Sequence, residues 1–187
     1  MAIRILLIDD NRDQITITAR VLAKANLEHV LDSAASATEG IGKVAAGTYD
    51  IILCDYRLPD LSGIEMLKRL MEMGRDHPFI LVTSMGNERV AVEAMKLGAY
   101  DYVVKDASYE EVLPKVILQS LERYQDKRER QRLEAERNEV LKALKSEKDE
   151  LVKMNSVMIN REERVVELKQ QVNALLKELG RPPQYRV

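Results

Sequence analysis

The fold is decided by the stretch Asp50-Ile51-Ile52-Leu53-Cys54-Asp55-Tyr56-Arg57-Leu58-Pro59-Asp60. Four apolar residues lead directly into Asp55, and Pro59, Asp60 and Ser62-Gly63 then indicate a loop. Such a short apolar run is typical of a strand that is buried on both faces of a parallel sheet. Because ligands bind beyond the carboxyl ends of strands in open α/β sheets, Asp55 is the first candidate for chemistry.

Predicted strands and helices alternate along residues 1–124. The strands are expected at 3–8, 29–31, 50–54, 79–82 and 100–104, with an amphipathic helix after each. The fourth helix is expected to open at Asn87, and the fifth at Ser108, where Glu111 completes a capping-box pattern. Pro114 is expected to kink the fifth helix or to shift its start. This order predicts an α/β fold with a doubly wound, five-stranded parallel sheet.

Polar residues end four of these strands: Asp9 and Asp10 the first, Asp55 the third, Thr83 the fourth and Lys105 the fifth. Taken alone, each is ordinary, since an acid at a strand end is most often a turn or cap residue. Together they would share one crevice, where carboxylates suit Mg²⁺ and a lysine and a hydroxyl suit phosphoryl oxygens. The joint pattern predicts a phosphoryl-transfer site with an aspartate nucleophile.

The sequence here resembles the response-regulator receiver domain of two-component signalling, over about residues 1–124. The motifs are Leu-Leu-Ile-Asp-Asp (6–10), Ile-Leu-Cys-Asp-Tyr-Arg-Leu-Pro-Asp-Leu-Ser-Gly (52–63), Leu-Val-Thr-Ser (81–84) and Gly-Ala-Tyr-Asp-Tyr-Val-Val-Lys (98–105). The resemblance implies a flavodoxin-like sheet and a phosphoryl group that passes from a histidine kinase or phosphotransfer protein to Asp55. It also implies Mg²⁺ held by Asp9, Asp10, Asp55 and the backbone carbonyl of Arg57.

By the same resemblance, Lys105 pairs with the phosphoryl oxygens, Thr83 moves toward them, and Tyr102 changes rotamer. The output surface would be formed by the fourth helix, fifth strand and fifth helix. The domain would not be an enzyme, beyond slow self-dephosphorylation. Three residues depart from the family pattern: Asp106 replaces a frequent proline, Ser84 replaces a smaller residue, and Arg57 lies beside the path of an attacking water. None of these departures removes a group that the chemistry needs.

The last 63 residues have a different composition: 27 are charged and Tyr185 is the only aromatic residue, so a second globular core is not expected. Steps of four and three from Leu133 give fourteen positions, of which eleven are apolar, and this heptad pattern predicts a coiled coil. The predicted seam is Leu133, Val140, Leu144, Leu151, Met154, Met158, Val165, Leu168, Val172, Leu175 and Leu179. We therefore expect a receiver domain at 1–124, a dimerisation and output coil at 125–180, and a flexible tail at 181–187.

The kind of coil is less closely defined by the sequence. Valine at a (Val165 and Val172) with leucine at d (168 and 175) favours a parallel two-stranded coil, whereas apolar residues at 141, 157 and 176 keep a four-helix arrangement open. Glu147 and Arg161 interrupt the seam. Residues 125–132 contain no apolar side chain and are either a solvated linker or, as their good helix formers favour, a continuous helix. Gly180 and the two prolines that follow should end it.

Composition excludes several classes of protein. The net charge of −2 argues against a dedicated nucleic-acid binder, although residues 1–124 carry −5 and residues 125–187 carry +3. The single cysteine, Cys54, excludes a disulfide framework and a cysteine-rich zinc site, and its apolar surroundings predict a buried thiol. With no membrane span or signal-peptide pattern, the sequence predicts a cytoplasmic protein without membrane partners.

These observations predict a response regulator that relays phosphorylation through a dimeric coil and has no DNA-binding domain. Two alternatives stay open: a dimeric adaptor that does not signal, and the terminal piece of a larger sensor protein. An aspartate-nucleophile phosphatase is disfavoured, because its second acid would be needed where Arg57 stands. His29 and His77 both lie in 1–124, so the tail carries no phospho-histidine of its own.

Overall fold

The computed structural model of the chain describes residues 2–84 and 88–186. Its elements are β1 (Ile3–Ile8), α1 (Arg12–Lys24), β2 (His29–Ala34), α2 (Ala37–Ala46), β3 (Ile51–Asp55), α3 (Gly63–Glu72), β4 (Phe79–Thr83), α4 (Glu88–Lys96), β5 (Asp101–Val104) and α5 (Tyr109–Glu178). The chain divides into two compact units, 1–129 and 130–187. The predicted alternation of strands and helices is confirmed.

The strands form one parallel sheet in the order β2-β1-β3-β4-β5. The register places Asp55 beside Val82 and Thr83 beside Val104, so the last residues of these strands lie along one edge. The strand order turns back between β1 and β3, which is where ligands bind in doubly wound sheets. The predicted flavodoxin-like fold is therefore confirmed, and its binding edge is the one that carries Asp55.

Alternate residues of the central strands pack on opposite faces of the sheet, as the strand repeat requires. Leu6, Ile52 and Leu81 face α2, α3 and α4, whereas Leu53 and Ile80 face α1 and α5. All five residues of β3 are buried, which explains the uninterrupted apolar run in the sequence. Cys54 is fully buried as predicted, and burial raises the pKa of its thiol.

The starts of α2 and α5 are formed in different ways. Ser36 caps α2, since its side chain accepts the N–H of Glu39 at 3.2 Å. The capping box expected at Ser108 is wrong: its hydroxyl donates to Asp106 at 2.6 Å, and the N–H of Glu111 bonds the Ser108 backbone carbonyl. The helix start expected at Asn87 lies outside the described residues.

The last helix, α5, begins at Tyr109 in the first unit and ends at Glu178 in the second. The prediction that residues 125–132 continue as helix is confirmed. Pro114 lies inside the helix, so it does not shift the start. Gly180 follows the helix with a φ of 71°, a conformation that glycine adopts easily, and the predicted stop is confirmed. In the parts of the chain described, no helix is both long and apolar enough to cross a bilayer.

Candidate functional site

Three of the predicted site residues meet at the carboxyl edge of the sheet. Asp9 directly follows β1, Asp55 ends β3, and Lys105 directly follows β5. The Lys105 Nζ donates to Asp9 Oδ2 at 2.7 Å and to Asp55 Oδ1 at 2.5 Å. All three side chains are nearly buried, with exposed fractions of 12% for Lys105, 2% for Asp9 and 11% for Asp55. One ammonium group therefore joins two carboxylates that lie 46 residues apart in the sequence.

The second oxygen of each carboxylate is held by a nearby backbone N–H. Asp9 Oδ1 accepts the N–H of Asn11 at 2.9 Å, and Asp55 Oδ2 accepts that of Arg57 at 2.7 Å. These local bonds fix how each carboxylate faces Lys105. The site is consequently preorganised by the two loops that follow β1 and β3.

Opposing effects act on the charge of Lys105. Burial lowers the pKa of its ammonium group, but hydrogen bonds to Asp55 and Asp9 and the attraction of their charges outweigh it. The resulting pKa lies above the ordinary lysine value, so the side chain is positively charged at neutral pH. One cation between two acids leaves an excess of acidic groups, which favours a further positive ligand.

The structure places the other predicted residues on β4, on β5 and directly after β1. Thr83 is buried at the end of β4, and its carbonyl accepts the backbone N–H of Lys105 at 2.7 Å. Tyr102 lies on β5 and packs partly buried against the core. Asp10 is exposed and lines a cavity of about 370 Å³ together with Asp9, Arg12 and Glu39.

The donor chemistry of this edge fits Mg²⁺. Within residues 2–84 and 88–186, no three His, Cys, Asp or Glu side chains are arranged to hold a metal on their own. Mg²⁺ does not need three, since it usually binds one or two carboxylates and keeps several waters. Asp9 and Asp55 meet that requirement, and Lys105 is at present the cation that they share.

Sequence reasoning missed several residues that position the site. Asn11 caps α1 with its side chain while its backbone holds Asp9, and an Asp-Asp-Asn run after a strand is a signal that could have shown this. Asp60 accepts bonds from Ala37 N–H (3.0 Å) and from Thr38 N–H (2.8 Å) and Oγ1 (2.6 Å). Bonds from Thr38 lower the pKa of Asp60, and the loop after β3 is thereby tied to the start of α2.

Gly63 allows the loop after Asp55 to pass close to the sheet. A Cβ at this position would lie 2.6 Å from the Asp55 carbonyl oxygen and 2.6 Å from the Leu81 side chain. We expect Gly63→Ala to lower the free energy of unfolding by about 1–3 kcal/mol, because backbone must shift to admit the methyl group.

The control for this prediction is Gly42→Ala in α2, where an added Cβ meets nothing within 4 Å. We expect this control to gain up to about 1 kcal/mol, since alanine is the better helix former. Urea unfolding of the two variants beside the parent chain measures both effects. Equal stability of the two variants would contradict the account of Gly63.

Comparison with known proteins identifies relatives of residues 5–117, which match the family model described as response regulator receiver domain. The C4-dicarboxylate transport transcriptional regulatory protein DctD of Rhizobium meliloti is 32% identical over 66% of this chain and 25% of its own length. The two-component response regulator PhoP of Pseudomonas aeruginosa is 34% identical over 45% of this chain and 37% of its own length. The chain thus spans between a quarter and about two fifths of these curated relatives.

Solved structures agree with this match. The response regulator receiver domain protein from Clostridium thermocellum has 26% identity and a TM-score of 0.59, covering 66% of this chain and 97% of that one. A CheY-like receiver domain protein from Methanospirillum hungatei has 26% identity and a TM-score of 0.58, covering 67% of this chain and 99% of that one. Both alignments cover about two thirds of the chain, which is close to the share that the first unit makes up.

Proposed function

The chain belongs to the response regulator receiver family, whose members accept phosphoryl groups in two-component signalling, and on that premise we propose that Asp55 is the phospho-acceptor here. The observation that supports this most strongly is the double hydrogen bond of Lys105 to Asp9 and Asp55. It brings an aspartate at the end of the central strand together with a second acid and a fixed cation. The donor would be a phospho-histidine of a kinase or phosphotransfer protein.

Each residue of the site has a proposed role in the transfer. A carboxylate oxygen of Asp55 attacks phosphorus, the bond from phosphorus to the donor imidazole breaks, and the imidazole nitrogen keeps the electron pair and takes up a proton. Lys105 then pairs with the phosphoryl oxygens, and the Thr83 hydroxyl donates to one of them. Asp9, Asp10, Asp55 and the backbone carbonyl of Arg57 would hold Mg²⁺, which neutralises phosphoryl charge when it is bound.

Members of the family generally act as signalling domains and not as enzymes. We extend this to the present chain, with slow self-dephosphorylation as its only catalysed step. No water-activating acid lies two residues after Asp55, because that position holds Arg57. This arrangement supports the acceptor role over a phosphatase.

We expect a small-molecule phosphodonor with Mg²⁺ to label the chain once, and Asp55→Asn to abolish the label. Intact-mass spectrometry measures the label, and peptide mapping locates it. Asp50→Asn is the matched control, since Asp50 lies just before the same strand and binds the backbone N–H of Arg4 at 2.7 Å. Labelling that survives Asp55→Asn would overturn the proposed acceptor.

Output is proposed to pass through a dimeric coil formed by the second unit. The eleven predicted seam residues are exposed along the helix, with exposed fractions from 37% at Val172 to 73% at Leu179. A stripe of this length exceeds what a monomer usually leaves in water. A second copy presents the same heptads, so a twofold coil covers the stripe on both chains.

The relay itself is proposed to start at the surface of α4, β5 and α5. Phosphate on Asp55 draws in Thr83, Tyr102 packs inward, and the balance between two arrangements of the dimer shifts.

We propose that the chain is divided into a receiver at 1–124, a coil at 125–180 and a tail at 181–187. We also propose that the protein is cytoplasmic and contacts neither DNA nor a membrane. A dimeric adaptor that does not signal is the second candidate, and an unlabelled chain in the experiment above would favour it.

A further inference from the structure

The tail after α5 folds back, and the Asn173 side chain bonds it three times. Its Oδ1 accepts the N–H of Gln184 at 3.0 Å and that of Tyr185 at 3.1 Å, and its Nδ2 donates to the Tyr185 carbonyl at 2.6 Å. Gly180, with its positive φ, allows the chain to reverse, and Pro182 and Pro183 prevent further helix. We name residues 181–186, docked on Asn173, the hook.

The hook docks on one flank of the helix and leaves the seam open. Lys169, Asn173 and Leu176 are partly buried, and their spacing of four and three places them on one face. The seam residues Val172 and Leu175 remain exposed. With Val172 at heptad position a and Leu175 at d, Lys169 and Leu176 occupy e and Asn173 occupies b.

The flank on which the hook docks is the one that decides between a coil of two copies and a larger bundle. In a two-stranded coil, the a and d residues fill the interface and the e residues line its edge. In a bundle, each helix contacts two neighbours, so a wider apolar face that includes e or g must stay free. Leu176 would supply that width, but it is already partly buried within the same chain, and its carbonyl accepts the N–H of Arg181 at the start of the hook at 2.8 Å.

From this geometry we propose that the hook fixes the coil at two copies, because it occupies the flank that a third or fourth helix needs. The occupant of the seam is therefore one second copy of this chain. An independent feature of the same heptads agrees: valine at a (Val165, Val172) and leucine at d (Leu168, Leu175) favour two strands. The inference rests on the proposed dimer and adds the feature that limits it to two copies, with Asn173 as the residue that holds this feature in place.

The test is the molar mass of the full chain in solution, measured by sedimentation over a hundredfold concentration range. Asn173→Ala removes the three side-chain bonds to Gln184 and Tyr185, and we expect the mass of this variant to rise from two copies toward three or four. Asn138→Ala is the matched control, an exposed asparagine at the same b position without a hook, and it should remain a dimer. A chain that ends at Gly180 lacks the hook and should behave as Asn173→Ala does.

A second substitution tests whether Leu176 causes the association into more than two copies. If Leu176 drives the higher association, Asn173→Ala with Leu176→Gln should return to two copies. A dimer for the parent chain, for Asn173→Ala and for the chain ending at Gly180 would overturn the role of the hook and leave the proposed dimer intact. A monomeric parent chain would overturn the proposed dimer, and a tetrameric one would overturn both the two-copy coil and the role of the hook.

Discussion

We expect Lys105→Met to lower the free energy of unfolding by about 2–4 kcal/mol when divalent cations are removed by chelation. The substitution leaves Asp9 and Asp55 nearly buried without the cation that they share. Loss of one partner from a buried ion pair costs about 3–5 kcal/mol, and the partial exposure of Lys105 reduces that figure. Methionine is unbranched like lysine and only one atom shorter, so the loss reports charge more than packing.

Lys24→Met provides the matched control, because Lys24 pairs with Glu110 at 2.8 Å with both side chains exposed. We expect that control to change stability by no more than about 0.5 kcal/mol. Added Mg²⁺ should stabilise Lys105→Met more than the parent chain, since the metal then replaces the missing positive charge. Equal losses in the two lysine variants, measured by urea unfolding, would contradict the electrostatic account of the site.

We expect Glu147→Leu to tighten the proposed dimer at least tenfold. In a parallel coil in register, Glu147 occupies a d position and faces Glu147 of the second copy. This layer of the interface therefore holds two like charges. Burial of one leucine contributes about 1.5–3 kcal/mol, and 1.4 kcal/mol corresponds to a tenfold change in affinity. Arg161→Leu should act in the same direction at the second interrupted layer.

Glu139→Leu is the matched control, since it makes the same change at position c of the helix, outside the seam. Sedimentation measures the dissociation constants of the parent chain and the variants. A dimer that Glu147→Leu weakens would contradict the parallel register, because it would mean that Glu147 does not face its own copy across the seam. Equal effects of Glu147→Leu and Glu139→Leu on the dissociation constant would contradict the predicted seam.

The fold was predictable because its signals are local and mutually consistent. The apolar run of β3 predicted burial on both faces, and alternation of strands and helices predicted a parallel sheet. Once the sheet was inferred, its edge explained why acids after β1 and β3 and a lysine after β5 come together. Their roles in phosphoryl transfer stay predictions until Asp55 is labelled.

Features that depend on distant partners could not be predicted. The contact of Gly63 with the Asp55 carbonyl and the bonds of Asp60 to Thr38 require the loop to be in place first. Ser108 showed a capping-box pattern, but Asp106 two residues earlier competes for its hydroxyl. Asn173 gave no signal at all, since its partners come near only after the chain has reversed.

Asp55 is proposed as the acceptor of a switch that acts on the coil. The most direct measurement is small-angle scattering of the full chain with and without Mg²⁺ and beryllofluoride, which mimics an aspartyl phosphate. We predict a change in the shape or mass of the dimer that Asp55→Asn abolishes. Binding without such a change would contradict the relay through the coil, and no binding at all would contradict Asp55 as the phospho-acceptor.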